Sequence, residues 1–153
     1  MPALNNCILP DGLLYHVENN IWLKINDDQS IDIGMTDIAQ TMAGSIIHCK
    51  PKAVGRSVKA GKSLATVESG KWVGPVRCPI GGEVVAINEA VVADATLLNK
   101  FPYGQGWIIR LQPSDFEGDR GELVEGDAAI AGFKAYMEEK ELGECIHCEG
   151  FEA

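Results

Sequence analysis

Apolar and polar residues alternate in several short runs along this chain, the pattern of half-buried β-strands. In the run 21–26, isoleucine or leucine occupies every second position. A second run, 31–33, follows the polar turn 26–28, so the two runs predict a β-hairpin. Similar β-type runs, separated by turn residues, occupy 13–17, 45–49, 63–69, 72–78, 83–87 and 107–111. Many short strands of this kind predict a mainly β domain.

Helical spacing occurs in three places. Thr36 is a good N-cap for a short helix that ends at Gly44, and 94–99 favours another. The segment 126–141 predicts a longer helix, because its apolar residues recur on one face. That face consists of Ile130, Phe133, Met137 and, one turn on, Leu142. Residues 1–12 show no such pattern and predict a loose N-terminal arm.

Composition places the chain among single globular domains. It has 153 residues, of which 46% are hydrophobic and 23% charged. A net charge of −9 argues against nucleic-acid binding unless a strong local basic patch exists. No apolar run is long enough to span a membrane, and the N-terminus lacks a secretory pattern. A cytoplasmic location is therefore predicted.

The cysteines predict no disulfide framework, since there are five of them and no secretory signal. Cys145-Ile146-His147-Cys148 forms one C-x-x-C, whereas structural zinc normally needs four ligands. An inert acidic tail, a reversible disulfide and a redox or metal module all remain open for this segment, and no metal site is predicted. Because the pair follows the last helix, it is expected to lie beyond the core.

The runs 63–69 and 72–78 flank Gly70-Lys71, which predicts a hairpin with the lysine exposed at its tip. A lysine that acts as a base or nucleophile needs burial or a neighbouring cation, and a tip beside Glu68 offers neither. Two interpretations remain, a solvated turn lysine or a site of covalent modification presented to other proteins. The histidines His16, His48 and His147 are scattered along the sequence, and no catalytic residue is predicted.

The stretch Val58 to Val92 contains the motifs VKAG, V-E-S-x-K ending at Lys71, Pro79 with Gly82-Glu83-Val84, and Asn88-Glu89-Ala90. Further motifs outside it are Leu98-Asn99, Pro102 to Ile108, and Ile33 to Gln40. The stretch with these motifs resembles the lipoyl-attachment region of glycine-cleavage H-proteins, and the resemblance extends over about residues 13–142.

The resemblance implies a barrel-sandwich hybrid, that is a lipoyl-domain-like β-sandwich, with short helices and a C-terminal helix. It implies a carrier and not an enzyme, with lipoate amide-linked to Lys71. Glu68, Ser69, Gly70 and Trp72 would serve recognition and the environment of the arm. A lipoylating enzyme and a dihydrolipoyl dehydrogenase are the implied partners, with no nucleic acid or membrane. The carrier domain is expected over 13–142, between the arm 1–12 and an acidic tail 143–153.

Three segments depart from the H-protein pattern. Asn20-Ile21-Trp22 replaces H-E-W, Trp72 with Gly74-Pro75 follows the lysine, and the segment 50–55 is basic where the family is acidic. These features resemble the H-like lipoate-binding proteins of bacterial sulfur oxidation, which work with a heterodisulfide-reductase-like complex. The alternative is an ordinary H-protein that carries an aminomethyl group among glycine-cleavage components. The basic residues Lys50, Lys52, Arg56, Lys59 and Lys62 form either a solvated loop or a docking surface.

Overall fold

The computed structural model describes residues 3–4 and 7–146. None of the helices in this part of the chain is long and apolar enough to cross a membrane. The strands are Ala3–Leu4 (β1), Cys7–Ile8 (β2), Leu14–His16 (β3), Ile21–Ile25 (β4), Ile31–Met35 (β5), Ile46–Pro51 (β6), Ser57–Val58 (β7), Ser63–Ser69 (β8), Val73–Arg77 (β9), Gly82–Ile87 (β10) and Ile109–Pro113 (β11). The helices are Asp37–Ala43 (α1), Glu89–Ala93 (α2), Leu97–Lys100 (α3), Phe116–Asp119 (α4) and Gly126–Glu139 (α5), with a 3-10 turn at Arg120–Glu122.

Two antiparallel sheets share the main hydrophobic core. The larger sheet has the order β3-β4-β5-β11-β10-β7, and the smaller has the order β6-β8-β9. Leu23 and Ile33 from the larger sheet and Leu64 and Val67 from the smaller belong to one buried cluster. Burial of such side chains is the main favourable term in folding. The predicted mainly β sandwich with short helices and a C-terminal helix is confirmed.

Helix α5 covers the outer side of the larger sheet and builds a second core. Phe133 and Met137 are buried against Tyr15 and Trp22, and the rings of Tyr15 and Phe133 meet edge to face at 5.7 Å. The apolar face predicted for this helix is confirmed, with Ile130 and Leu142 partly buried beside the cluster. Trp22 is therefore buried as fully as its neighbours, and β4 is not the half-buried strand that its alternating sequence predicts.

The helix predicted over 94–99 is wrong in its boundaries. The side chain of Asn88 accepts a hydrogen bond from the Ala90 amide and begins α2 earlier. Asp94 then ends α2 in an extended conformation, and a separate short helix, α3, follows. An asparagine is as good an N-cap as threonine or serine, and here it sets the register.

Part of the predicted N-terminal arm is packed into the second core. Cys7 and Leu9 are buried, and the Tyr15 hydroxyl donates to the Pro10 carbonyl at 2.7 Å. The Ile8 amide also donates to the buried carboxylate of Asp37 at 2.8 Å. These contacts show that the described residues 7–12 are not a loose segment.

The structure contains a disulfide between Cys7 and Cys145, which are 138 residues apart in sequence. The sequence left open only a reversible disulfide within the C-x-x-C, so the pairing of Cys145 with Cys7 was not predicted, and the expectation that Cys145 lies beyond the core is wrong. Ile146 donates its amide to the Thr41 hydroxyl at 3.1 Å, and its carbonyl accepts from the Gln40 side chain. This segment thus lies across α1, which brings Cys145 to β2. His147 and Cys148 lie outside the described residues.

We expect the Cys7→Ser variant to lose about 2–4 kcal/mol of unfolding free energy in the oxidised protein, the usual effect of removing a native disulfide. Urea denaturation measures this loss. Dithiothreitol should bring the wild-type protein to the stability of the variant. Cys148→Ser is the matched control and should leave the oxidised stability unchanged. The opposite result, a loss in Cys148→Ser alone, would show that Cys145 pairs within the C-x-x-C.

Candidate functional site

The hairpin between β8 and β9 presents Lys71 at its tip, as the sequence predicts. Glu68 and Val73 are the last paired residues, and Ser69 donates its amide to the Trp72 carbonyl at 2.7 Å. The Ser69 hydroxyl is buried and accepts from the Lys71 amide at 3.3 Å. These bonds fix the backbone of the turn, while the lysine side chain stays exposed.

The side chain of Lys71 lies against the end of α1. A Cβ added at Gly44 would be 3.0 Å from Lys71 Cε and 3.7 Å from Nζ. Gly44 also has φ +82°, a conformation that other residues adopt only with strain. Glycine at this position therefore serves two purposes, because it ends the helix and leaves room for the lysine.

Buried polar side chains hold α1 in this position. Thr36 caps the helix through its hydroxyl, which accepts from the Ala39 amide, so the predicted cap is confirmed. Asn99 accepts from the Ile46 amide at 2.8 Å and donates to the Gly44 carbonyl at 2.9 Å. Its Nδ2 also lies 2.9 Å from Gln40 Oε1. Because unmade bonds of buried polar groups are costly, this network ties α1 to β6 and α3.

A cavity of about 490 Å³ opens beside Lys71. Its walls come from the β3–β4 turn, α1, the β8–β9 hairpin and α5. The lining residues are Glu18, Asn19, Asn20, Ile21, Met35, Ala39, Met42, Ala43, Lys71, Trp72, Pro75, Val76, Arg77 and Tyr136. Most of these side chains are apolar, which suits a hydrocarbon or sulfur-bearing group attached to the lysine.

Asn20 lines this cavity at the position where the sequence departs from the H-E-W pattern. It has φ +60° and its Oδ1 accepts from the Thr36 hydroxyl. Its Nδ2 lies 3.9 Å from the sulfur of Met42. The sequence marked Asn20 only as a departure. The contribution of Met35, Met42 and Tyr136 was missed, since they come from three distant elements and share no motif.

Trp72 forms part of the cavity wall next to Lys71. Its side chain is 41% exposed and covers Gly74, where an added Cβ would lie 2.2 Å from the indole. Pro75 follows on the same strand. The indole therefore needs a glycine at position 74 and presents an apolar surface at the mouth of the cavity.

The remaining predicted site residues lie around the turn. Glu68 is exposed on the outer face of the small sheet, opposite His48 on β6. Gly70 is exposed, and a Cβ there would meet nothing within 4 Å. Neither residue faces the cavity lining, so their part in recognition stays a prediction.

Other potentially reactive side chains, His16, Cys49 and Cys78, do not line the cavity beside Lys71. His16 is buried, accepts from the Asn19 amide and has its Nε2 3.5 Å from Glu122. Burial raises the pKa of the Cys49 thiol to about 12, and that of the Cys78 thiol to about 12 as well. Both thiols therefore stay protonated at neutral pH and are poor nucleophiles.

Cys7, Cys145 and Asp37 place their donor atoms within 4.8 Å of one another. The two sulfurs are bonded together, and Asp37 accepts from the Gln40 amide group at 2.7 Å. The described residues therefore give no open set of four ligands of the kind that structural zinc needs.

A β-sandwich with an exposed lysine on a fixed hairpin beside a largely apolar cavity suits a domain that presents a covalently attached group to other proteins. The glycine cleavage H-protein family model matches residues 13–136. The chain is 44% identical to glycine cleavage system H protein 2 of Aquifex aeolicus over 89% of this chain and 84% of that one. It is 40% identical to glycine cleavage system H protein 3 of the same bacterium, over 93% of this chain and 89% of that one.

The crystal structure of a glycine cleavage system H protein from Mycobacterium marinum superposes with a TM-score of 0.71 at 28% identity. The match covers 88% of this chain and 100% of that one. The chain belongs to the glycine cleavage H-protein family. Members of this family are carriers and not enzymes, and their cofactor is lipoate attached covalently to a lysine.

We expect Gly44→Ala to lower the unfolding free energy by about 1–3 kcal/mol, because its backbone conformation strains any residue with a Cβ. The new Cβ should also displace the Lys71 side chain. Reductive methylation with ¹³C-formaldehyde, followed by NMR, reports this displacement as a shift of the Lys71 methyl signal. That signal is assigned by its absence from the spectrum of the Lys71→Arg variant.

Gly12→Ala is the matched control, since Gly12 has φ +83° and nothing within 4 Å of an added Cβ. It should lose stability without moving the Lys71 signal. An unchanged Lys71 signal in Gly44→Ala would contradict the contact.

Proposed function

We propose that Lys71 carries the lipoyl group and that the chain acts as a lipoyl carrier among the components of glycine cleavage. The observation that supports this most is the placement of Lys71, whose side chain lies along Gly44 beside a largely apolar cavity. The carrier domain is assigned to 13–142. The names of the relatives support glycine cleavage as the pathway.

The residues of this chain position the arm and do no bond-breaking chemistry. Acylation removes the charge of Lys71, so the apolar walls formed by Met35, Met42 and Tyr136 then suit the extended side chain. Bound lipoate supplies a dithiol that carries the transferred group on sulfur. Tethering keeps that group at high effective concentration near each partner enzyme.

The partners are glycine decarboxylase, aminomethyltransferase, dihydrolipoyl dehydrogenase and a lipoylating enzyme. We assign recognition by the lipoylating enzyme to the exposed turn with Glu68, Gly70 and Trp72, held in shape by Ser69. The proposal places the chain in the cytoplasm, as the sequence predicts.

Co-expression with a lipoylating enzyme should add one lipoyl group to the wild-type protein and none to Lys71→Arg, because the guanidinium cannot form the amide. Intact-mass and peptide mass spectrometry measure this. Lys62→Arg is the control, because Lys62 is also exposed but lies at the opposite end of β8. This variant should be lipoylated normally. Lipoate on the Lys71→Arg variant would show that the site is elsewhere.

A second candidate is a lipoyl carrier of sulfur oxidation that serves a heterodisulfide-reductase-like complex. Trp72 over Gly74 gives the mouth of the cavity an apolar wall that would shield a sulfur adduct from water. Asn20 lines the same cavity where the family pattern has another residue. The two Aquifex relatives are numbered H proteins of one bacterium, so paralogues with separate partners fit this alternative.

A reconstituted glycine-cleavage assay separates the two candidates. The lipoylated protein should support turnover comparable to that of a known H-protein if glycine cleavage is its role. Reduction of its lipoyl arm by dihydrolipoyl dehydrogenase is the control for an intact arm, since that enzyme reads mainly the arm. Normal reduction with little or no glycine turnover would contradict the first candidate and favour sulfur oxidation.

A further inference from the structure

Positive charge is concentrated in one continuous part of this acidic chain. The segment 50–77 contains seven of the 13 lysines and arginines but only one of the 22 aspartates and glutamates, Glu68. Its net charge is therefore +6, which leaves −15 for the remainder of a chain with net charge −9. This segment includes the end of β6, the following loop, β7, β8 and β9.

These cations are not used to stabilise the fold. Six of the seven are exposed, and Lys52 is half-buried. The ion pairs among the described residues involve His16, Arg110 and Arg120, and none of the seven. Like charges at this density repel one another, so the arrangement lowers stability unless an anionic surface neutralises it.

The outer face of the small sheet connects these charges to Lys71. We call this surface the outer sheet face. Its side chains lie in two paired rows, His48–Glu68–Val73 next to the hairpin tip and Lys50–Thr66–Pro75 further along, followed by Arg77. The loop with Arg56, Lys59 and Lys62 begins beyond the far end. At about 3.3 Å per residue, the seven residues of β8 separate the two ends by roughly 20 Å.

Exposed apolar side chains occur at the end of the outer sheet face near Lys71, beside His48 and Glu68. Val73 on this face is 63% exposed, Ile47 next to His48 is 52% exposed, and Trp72 in the adjoining turn is 41% exposed. Aromatic and aliphatic side chains in the centre of a contact, with charges at its rim, are typical of protein–protein interfaces.

We propose that the outer sheet face docks a protein whose arm-accepting opening is flanked, roughly 20 Å away, by a carboxylate-rich surface. These exposed apolar side chains would contact the rim of the opening beside the Lys71 arm, and the cations would contact the carboxylates. This docking proposal rests on the proposed carrier function, since a docking surface is needed only if the arm on Lys71 enters the active sites of partner enzymes. The charges should act mainly on the association rate.

A protein fits this surface better than nucleic acid does. A polyanion extending beyond the outer sheet face would meet the remainder of the molecule, which carries −15. Glu68 lies within the face itself, between His48 and Val73, and would repel a continuous phosphate backbone. A partner with a local acidic patch avoids both repulsions.

The test compares two triple variants of the lipoylated protein that have the same net charge. One reverses Lys50, Lys59 and Lys62 to Glu, and the control reverses Lys24, Lys100 and Lys134, which are exposed and lie outside 50–77. The kcat/KM is measured on the lipoylated variants with glycine decarboxylase, aminomethyltransferase and dihydrolipoyl dehydrogenase, and on the same variants without lipoate with the lipoylating enzyme. Free lipoamide serves as the substrate that needs no docking.

We expect the first variant to lose about tenfold or more in kcat/KM with at least one enzyme at low salt, and the control to change less than about twofold. The difference should shrink at high salt, where exposed charges are screened. The milder set Lys50→Gln, Lys59→Gln and Lys62→Gln should give an intermediate loss, which guards against misfolding of the reversed variant.

Equal effects of both triple variants, or no effect on any of the four enzymes, would overturn the proposal. So would tighter binding of a DNA duplex than of every enzyme, which would assign the surface to nucleic acid. Failure of lipoylation at Lys71 is a separate result, because it would refute the carrier function whatever the charges do.

Discussion

The hydrogen bonds of the Asn99 side chain are the constraint on which the site depends. This buried amide joins three elements, because it accepts from Ile46 at the start of β6 and donates to Gly44 and Gln40 at the end of α1. Each buried polar group left unpaired would cost about 1–3 kcal/mol, so α1 cannot shift without breaking several bonds at once. Lys71 and its cavity both rest on this helix, and their geometry therefore follows from a network in which no residue is exposed.

This arrangement fits a carrier because the turn and α1 are rigidly held, while the lysine that they support is exposed. The turn at Ser69 is fixed by backbone bonds, and α1 is fixed by Asn99 and by the segment that the Cys7–Cys145 disulfide holds against it. The exposed lysine side chain extends from this base. A carrier needs little more than this, because its cofactor supplies the chemistry and the protein supplies position and partner choice.

Most helices and strands could be predicted from local features of the sequence. Contacts between residues far apart in the chain could not. The Gly70-Lys71 tip and the Thr36 cap depend on neighbouring residues, so spacing alone located them. The disulfide joins residues 138 apart, and a C-x-x-C suggested a partner three residues away instead. The cavity likewise combines residues from both ends of the chain, such as Asn20 and Tyr136, and no local pattern records that juxtaposition.

Buried and exposed positions of this chain differ in what a substitution would change. Trp22 and Asn99 are buried and bonded inside the fold, where a change would disturb packing or leave a polar group unpaired. Lys50, Trp72 and Pro75 are exposed around the arm, where a change alters what a partner meets and leaves the core intact. Buried positions therefore determine mainly the fold, and exposed positions determine what a partner protein contacts. A scaffold of this kind can keep its core while changes on the surface around its lysine alter which partners it binds.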